Sequence, residues 1–267
     1  MRPCGSSRAA RDAMHPAHFL FCCPVRYQDT DVHLNATASA LVGALQEAAI
    51  LHSEELGRGI EYLTQRGQGW MITQTRAEVL RPARWRDELR VETWPSEMGR
   101  VLSRREFLIR DGAGGSLVRA TTLWAFIDRV RQRVCRVPAE VASAYPVDPA
   151  RALDGVFGRP APCVRTQWSR VFPIGYRDVD SNRHVNNLRY LEWMIETLPP
   201  EVPERHFVRR INIRFQQETR PGAEVTVCGQ ELDIASMSSG WRRFGLEVRD
   251  GSGRVAAAAE MDYAPLP

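Results

Sequence analysis

The chain of 267 residues contains no lysine, so all 36 of its basic residues are arginine. Guanidinium groups suit bidentate contacts with phosphate and carboxylate groups. The net charge of +4 is too small to indicate nucleic-acid binding, and no nucleic-acid partner is predicted. The weak positive charge is compatible with a small acidic protein partner.

Long apolar runs are also missing. No uninterrupted stretch approaches the roughly 20 apolar residues that a helix needs to cross a bilayer, so no membrane span is predicted. Residues 1–17 are rich in Arg, Ala and Ser and lack the apolar core of a secretory signal. We therefore predict a disordered tail over residues 1–17, in preference to a short transit-like segment, and a cytoplasmic location.

The cysteines form no recognisable motif. There is no C-x-x-C pair and no Cys/His spacing typical of a metal site. Neither a bound metal nor a disulfide framework is therefore expected, and no cofactor is predicted. The six cysteines are Cys4, Cys22, Cys23, Cys135, Cys163 and Cys228.

The sequence repeats itself once. The run Y-Q-D-T-D at residues 27–31 matches Y-R-D-V-D at residues 176–180, an offset of 149 residues. Further along, I-R-D-G-A-G from Ile109 matches V-R-D-G-S-G from Val248, and D-G is a signal for a hairpin turn. A repeat of this kind predicts two copies of one structural unit.

Both copies have the same order of predicted elements: a strand, an Asp-rich loop, a helix and four long strands. One long helix and about five antiparallel strands per copy give an α+β fold in which the sheet wraps around the helix. In the first copy the predicted strands cover residues 19–26, 71–80, 88–94, 103–110 and 117–128, and the helix covers 38–56 with Gly57 as its cap; in the second copy the strands cover 171–176, 207–216, 224–231, 241–248 and 255–263, and the helix covers 188–198.

A proline-rich stretch separates the two copies. Residues 138–162 contain five prolines and two glycines, a composition that favours an extended linker. We therefore predict an N-terminal domain over residues 18–137, a linker over 138–163 and a C-terminal domain over 164–267.

The most distinctive stretch is the polar run that precedes the second helix. Asn186 or Asn187 can cap that helix, and Pro199 ends it. Unpaired N–H groups and the helix dipole favour negative charge at such a place, so it can hold an oxyanion, although Asx-rich runs also occur as simple turns and caps. The polar residues are Asp178, Asp180, Asn182, His184, Asn186 and Asn187.

The whole string D-x-N-x-H-V-N-N-x-x-Y-x-x-W-x-x-E, which begins at Asp180, resembles the acyl-[acyl carrier protein] thioesterase family. The resemblance extends from about Phe19 to about Tyr263 and includes L-Q-E-A-A, G-W-M-I-T and V-E-T-W in the first copy. It implies a tandem hot-dog fold and the release of free fatty acids from acyl carrier protein, whose acyl chain is attached through 4'-phosphopantetheine. Single hot-dog proteins usually dimerise, whereas a tandem chain supplies that interface itself; a further homo-oligomer is compatible with the sequence.

The two copies differ at the polar positions. At the offset of 149, His33 aligns with Asn182 and Asn35 aligns with His184, so the first copy has H-x-N where the second has N-x-H. At the later strands the offset is 136, which places Pro82 opposite Glu218. Only the second copy has the complete polar set, and the active site is predicted there.

The resemblance implies that Asp180, Asn182, His184 and Glu218 are catalytic. Plant members have a cysteine directly after the acid, but this chain has Thr219, so no Cys–His mechanism can be transferred. We predict Glu218 as the general base that activates water, with direct attack as the less favoured variant. Asn182 would donate to the oxyanion, and His184, oriented by Asp180, would position water or the thioester.

The first copy is predicted to provide scaffold and an acyl pocket. Leu41 and Leu45 of its helix and Trp70 are candidate lining residues, although packing in the core accounts for such residues equally simply. Asn187 is a further candidate for substrate binding. The arginines of residues 129–133 and 209–210 are candidates for docking the carrier protein, with ordinary solvated surfaces as the alternative.

Two other functions stay open. An acyl-CoA thioesterase has the same fold, and the short D-x-D/H-V-N-N core occurs widely in such enzymes. A non-catalytic acyl-binding module is the alternative of a different class, and the intact polar set argues against it. The preferred acyl chain length does not follow from the sequence.

Overall fold

The computed structural model describes residues 15–180, 183–219, 222–233 and 240–267. The contacts divide the chain into two compact units. Within the described residues, unit 1 comprises residues 15–73 and 80–155, and unit 2 comprises residues 74–79 and 156–267. The boundaries predicted from the sequence stay a prediction.

Unit 1 is a sheet with one long helix. Its strands are hydrogen-bonded in the order β1-β3-β4-β5-β2, with the short β6 beside β5. The strands are β1 (Phe19–Pro24), β2 (Gln68–Val79, which continues into unit 2), β3 (Glu88–Met98), β4 (Leu102–Arg110), β5 (Ser116–Asp128) and β6 (Arg133–Val134); the helices are α1 (Ala38–Glu55), α2 (Ile60–Gln65) and α3 (Ala139–Ala142).

Helix α1 begins at Ala38, as the sequence predicted, and ends at Glu55, one residue before the predicted end at Leu56. The Thr37 side chain accepts a hydrogen bond from the Ala40 N–H, which caps the first turn. Gly57 has φ +66° and donates its N–H to the Glu54 carbonyl, so it fills the left-handed position after the helix. The apolar face of α1 packs on β1 and β3.

Unit 2 repeats this architecture. Its strands are hydrogen-bonded in the order β7-β9-β10-β11-β8, which is the order of their counterparts in unit 1. Residues 74–78 also belong to this unit and pair antiparallel with residues 210–214. The strands are β7 (Trp168–Pro173), β8 (His206–Phe215), β9 (Glu224–Leu232), β10 (Arg242–Asp250) and β11 (Val255–Pro265); the helices are α4 (Asn187–Thr197) and α5 (Glu201–Arg205).

The repeat extends to individual hydrogen bonds in the Asp-rich loops. In unit 1 the Asp31 N–H donates to the Asn35 carbonyl at 2.8 Å, and in unit 2 the Asp180 N–H donates to the His184 carbonyl at 2.9 Å. The residue before each acceptor has a left-handed backbone, with φ +61° in unit 1 and +63° in unit 2. The offset of 149 predicted from the sequence is therefore confirmed.

The second offset is confirmed in the same way. The Val25 N–H donates to the Asp87 carbonyl, and the Ile174 N–H donates to the Ala223 carbonyl, both at 2.9 Å. The donor Ile174 corresponds to Val25 at an offset of 149, and the acceptor Ala223 corresponds to Asp87 at an offset of 136. Because residue 87 thus corresponds to residue 223, the structural counterpart of Glu218 is a proline at position 82.

The segment predicted as a linker is not uniformly exposed. Residues 139–142 form α3, and Val141 and Tyr145 are buried. Both belong to an apolar cluster of unit 1 with Leu63, Phe126 and Val137. This part of the segment therefore packs as core of unit 1 and is not an extended chain, because its apolar side chains interrupt the proline-rich pattern.

Two other features bear on the expectations from the sequence. Among the described residues Cys23, Cys135, Cys163 and Cys228 are free. Cys22 forms a disulfide bond, which the cysteine spacing did not predict. No helix in the described part of the chain is long and apolar enough to cross a membrane.

A buried carboxylate stabilises unit 1. Glu106 is fully buried, and its Oε1 lies 2.9 Å from Arg104 Nε, 2.8 Å from Ser96 Oγ and 3.1 Å from Thr121 Oγ1. The Ala152 N–H donates to its other oxygen at 3.3 Å. Removing one partner of a buried ion pair leaves the other charge without compensation.

We therefore expect Glu106→Ala to lower the free energy of unfolding by about 3–5 kcal/mol, measured by urea denaturation. The control is Glu61→Ala, which removes an exposed carboxylate of α2 that accepts a hydrogen bond from Gln65 in the same helix and should change stability by less than about 0.5 kcal/mol. Equal losses in the two variants would contradict the assignment.

Candidate active site

The loop between β7 and α4 is closed by its own hydrogen bonds. The Asp178 carboxylate accepts from the Gly175 N–H at 2.7 Å, and its carbonyl accepts from the Asn186 N–H at 2.8 Å. The Asn186 side chain in turn accepts from the Leu188 N–H at 2.9 Å, so Asn186 and not Asn187 caps α4. These bonds hold His184 at the point where the loop returns to the helix.

The structure brings His184 and Glu218 together. His184 Nε2 lies 3.1 Å from Glu218 Oε2, and the two side chains are 30% and 42% exposed. Glu218 follows β8 at the point where the strand leaves the sheet, because the N–H groups of Gln216 and Gln217 both donate to the Ala256 carbonyl. The contact joins a carboxylate and an imidazole that water can reach.

Asp180 contacts the backbone beside this pair. Its Oδ1 accepts from the His184 N–H at 3.4 Å, and its own N–H donates to the His184 carbonyl. These bonds hold the main chain of His184, and an effect of Asp180 on the imidazole ring stays a prediction. Asn182, the predicted oxyanion donor, lies outside the described residues.

The sequence analysis missed a buried pair next to Glu218. Tyr190 Oη lies 2.7 Å from Thr219 Oγ1, and the Thr219 N–H donates to Tyr190 Oη at 3.2 Å. Tyr190 is only 2% exposed, and this burial raises the pKa of its hydroxyl, which stays protonated at neutral pH. The tyrosine belongs to the family-like string, and its alignment with Leu41 at the offset of 149 was the signal that could have revealed it.

A cleft opens beside Glu218. It has a volume of about 450 Å³ and reaches the hairpin between β10 and β11. A cleft of this size can admit part of a small-molecule substrate. Its lining residues in unit 2 are Glu218, Thr219, Ala223, Glu224, Asp250, Gly251, Ser252 and Arg254.

The candidate acyl-lining residues lie in unit 1. Leu41 and Leu45 are buried on α1. Trp70 lies on β2, and its ring centroid is 4.8 Å from that of Phe126. Asn187 is the first residue of α4 in unit 2. Contact of these residues with an acyl chain stays a prediction.

One group of potential metal ligands occurs in the described part of the chain, and it includes none of the residues predicted to be catalytic. The ligand atoms of His15, His18 and Asp148 all lie within 4.8 Å of one another in unit 1. Both ring nitrogens of His18 already contact carboxylates, Nδ1 at 2.7 Å from Glu92 and Nε2 at 2.9 Å from Asp148. These two contacts account for the position of the His18 ring without a metal ion.

The geometry around Glu218 fits activation of water. One carboxylate oxygen contacts His184 Nε2, and the exposed side chain leaves the other oxygen accessible to a water molecule. A carboxylate in this position can accept a proton from that water, while the imidazole holds its orientation. The equivalent positions of unit 1 hold Asn35 and Pro82, which provide neither group.

Comparisons with known proteins identify the family to which the chain belongs. A family model described as the acyl-ACP thioesterase N-terminal domain matches residues 19–145, and the model of the acyl-ACP thioesterase C-terminal domain matches residues 164–265. A chloroplastic palmitoyl-acyl carrier protein thioesterase of Arabidopsis thaliana is 25% identical over 236 residues, which are 80% of this chain and 53% of that protein. The chloroplastic acyl-[acyl-carrier-protein] hydrolase FATB3 of Cuphea viscosissima is 30% identical over 209 residues, which are 73% of this chain and 50% of that protein.

The chain spans about half the length of these curated relatives. Among solved structures, the 12:0-ACP thioesterase of Umbellularia californica matches with a TM-score of 0.83 and 21% identity, over 97% of this chain and 98% of that one. An acyl-ACP thioesterase of Bacteroides thetaiotaomicron matches with a TM-score of 0.82 and 21% identity, over 92% of this chain and 98% of that one. These structures confirm the predicted hot-dog fold, and because one family matches both halves, the chain belongs to the acyl-ACP thioesterase family.

Proposed function

We propose that this protein hydrolyses the thioester of fatty acyl chains attached to acyl carrier protein and releases the free fatty acid. The observation that supports this most is the contact of 3.1 Å between His184 Nε2 and Glu218 Oε2 in unit 2. Family membership supports the substrate class, because the relatives and solved structures described above are named as acyl-ACP thioesterases or hydrolases.

The proposed reaction needs a deprotonated water and a stabilised oxyanion. Glu218 accepts a proton from water as the oxygen attacks the thioester carbonyl. The tetrahedral oxyanion collapses, the C–S bond breaks and the thiolate leaves; because a thiol has a pKa of about 8.5, this leaving group needs little help from an acid. His184 holds Glu218 and the water in place, Asp180 holds the backbone of His184, and Asn182 donates to the oxyanion.

The remaining parts of the proposal concern binding. Leu41, Leu45 and Trp70 would contact the acyl chain, and Asn187 would contact the substrate near the start of α4. The partner would present its acyl chain on 4'-phosphopantetheine. A cytoplasmic location and homo-oligomerisation are also proposed, and cell fractionation and sedimentation velocity test them.

The experiment that tests the function is a ladder of acyl carrier protein thioesters of increasing chain length. We expect release of free fatty acid and free thiol, with a maximum at one range of lengths. Release at no length would contradict the proposal and favour a non-catalytic acyl-binding module. The same ladder identifies the preferred chain, which the sequence does not provide.

Salt should affect the two kinds of substrate differently. Acyl carrier proteins are acidic and this chain is weakly basic, so encounter is expected to be partly electrostatic. Exposed charges interact over about 10 Å at 0.1 M salt and over less at higher salt, and such charges act mainly on association rate. Raising the salt concentration should therefore lower kcat/KM for acyl carrier protein much more than for a neutral truncated pantetheine thioester. Equal sensitivity would argue for acyl-CoA substrates.

The structure refines the choice of arginines for this test. Arg209 donates to a backbone carbonyl and Arg210 pairs with Glu78 at 3.2 Å, so part of that cluster has a structural role. The run of residues 129–133 is mostly exposed, although Arg131 pairs with a nearby aspartate. Charge reversal within residues 129–133 is therefore the cleaner variant, and it should mimic added salt if those arginines dock the carrier.

A further inference from the structure

The hydroxyl groups of Tyr190 and Thr219 form a buried pair that the proposed mechanism does not use. Two contacts join the residues, side chain to side chain at 2.7 Å and Thr219 N–H to Tyr190 Oη at 3.2 Å. The tyrosine ring packs edge-on against Trp193 and Phe215, with centroids 5.7 and 5.9 Å away. This packing fixes the position of the hydroxyl.

Thr219 links the two segments that carry the residues of the candidate site, the loop with His184 and the segment with Glu218. It directly follows Glu218, and its carbonyl accepts from the N–H of Val185, the residue after His184. This backbone bond is long, at 3.4 Å, and a bond of that length restrains the chain weakly. The two hydrogen bonds between Thr219 and Tyr190 are therefore the stronger restraints on the position of Thr219.

Unit 1 provides a natural comparison. Its positions equivalent to the tyrosine and the threonine hold Leu41 and Ala83, and the position of the acid holds Pro82. Neither Leu nor Ala can form a side-chain hydrogen bond. The equivalent backbone bond, from the Ala36 N–H to the Ala83 carbonyl, is short at 2.7 Å. The hydroxyl pair therefore occurs in the unit that has the carboxylate, at the point where the backbone bond is weak.

We propose that Tyr190 is a positioning residue, which acts through Thr219 to hold the Glu218 carboxylate against His184. The inference rests on the proposed function, in which Glu218 is the base. Displacing a catalytic group by about 1 Å can cost on the order of 100-fold in rate. Without the tyrosine hydroxyl, residue 219 and the carboxylate before it are free to shift by such a distance.

The test is Tyr190→Phe, which keeps the ring and removes only the hydroxyl. We expect kcat for an acyl carrier protein thioester to fall roughly 10- to 100-fold, with KM changed less than about twofold, because substrate contacts remain. The matched control is Tyr263→Phe in the same unit. Tyr263 is equally buried, but its hydroxyl has no hydrogen-bond partner among the described residues, so its removal should leave kcat unchanged.

Substitutions of Thr219 provide the second arm. Thr219→Ser keeps the hydroxyl and should retain kcat, whereas Thr219→Val keeps the shape and should lower it. Because both changes break the same contact, Tyr190→Phe combined with Thr219→Val should lose little more than the worse single variant. Independent, multiplying losses would contradict a shared restraint.

A crystal structure of Tyr190→Phe distinguishes this inference from the proposed function. We expect the distance between His184 Nε2 and Glu218 Oε2 to exceed the 3.1 Å of the unsubstituted protein. An unchanged distance, or normal kcat, would overturn the inference while the hydrolase function stands. If the unsubstituted protein releases no fatty acid, the proposed function fails. The distance between His184 Nε2 and Glu218 Oε2 in the Tyr190→Phe crystal structure then still tests whether Tyr190 positions the carboxylate.

Discussion

Replacing Glu218 with glutamine is expected to lower kcat by about 10²–10⁴-fold, the usual contribution of a general base. The amide has nearly the same size and can stay beside His184, but it cannot take a proton from water. Because the native carboxylate is 42% exposed, the substitution should leave the fold intact. The measurement is the rate of thiol release from acyl carrier protein thioesters, with circular dichroism to verify folding.

The control for this variant is Glu196→Gln. Glu196 lies on α4 in the same unit, is exposed and pairs with Arg170 at 3.3 Å. Exposed pairs of this kind contribute little, so the control should have the activity of the unsubstituted protein. If Glu218→Gln were nearly as active as Glu196→Gln, the carboxylate would have no role as the base.

His184→Ala should lower kcat by about 100-fold, because it removes the group that positions Glu218 and the water, whereas Asn35→Ala should have only a small effect. The two residues are structural counterparts in their loops, so the comparison separates catalysis from maintenance of the loop. His184 contacts the carboxylate of Glu218. Its counterpart Asn35 has no such contact in unit 1, because Pro82 occupies the position that corresponds to Glu218. Steady-state kinetics on one acyl carrier protein thioester measures both variants.

A broader substitution of the first loop is less informative. Asp31 Oδ1 accepts from the N–H groups of both His33 and Asn35, at 2.8 and 2.9 Å, so replacing it would disturb the loop itself. Asn35→Ala together with His33→Ala avoids that effect. If this double variant were folded and as inactive as His184→Ala, a single site in unit 2 would be ruled out.

Much of the fold could be predicted because the signals lie in short stretches of sequence. The matching runs at residues 27–31 and 176–180, the Gly57 cap and the D-G hairpins each depend on residues close together in the chain. Asp111 and Asp250 confirm the hairpins, since each carboxylate accepts two N–H groups of its own turn. In short-range patterns of this kind, the local residues themselves favour the turn or the helix end.

The parts that escaped prediction depend on contacts between distant residues. Tyr190 and Thr219 are 29 residues apart, and no periodicity relates a tyrosine on a helix to a threonine after a strand. Similarly, no spacing revealed that β2 would divide between the two units. The disulfide bond at Cys22 was missed because cysteine spacing alone does not determine which cysteines pair.

His52 is a buried histidine of unit 1 that is not among the residues predicted to be catalytic. The ring is buried, and burial together with the nearby Arg105 lowers its pKa to about 3. Arg105 Nη1 lies 2.9 Å from the Nδ1 of this neutral ring, and burial lowers the pKa of Arg105 to about 10. Both groups therefore keep one charge state across the neutral range, and neither serves as a proton carrier there.

The central claim is that unit 2 holds one site for hydrolysis of acyl carrier protein thioesters. The most direct test is kcat/KM of the purified protein for the same acyl chain attached to acyl carrier protein and to CoA, with Glu218→Gln as the blank. We predict a clear preference for the carrier protein and loss of both activities in the variant. Equal kcat/KM for the two substrates, or activity that survives in Glu218→Gln, would contradict the account.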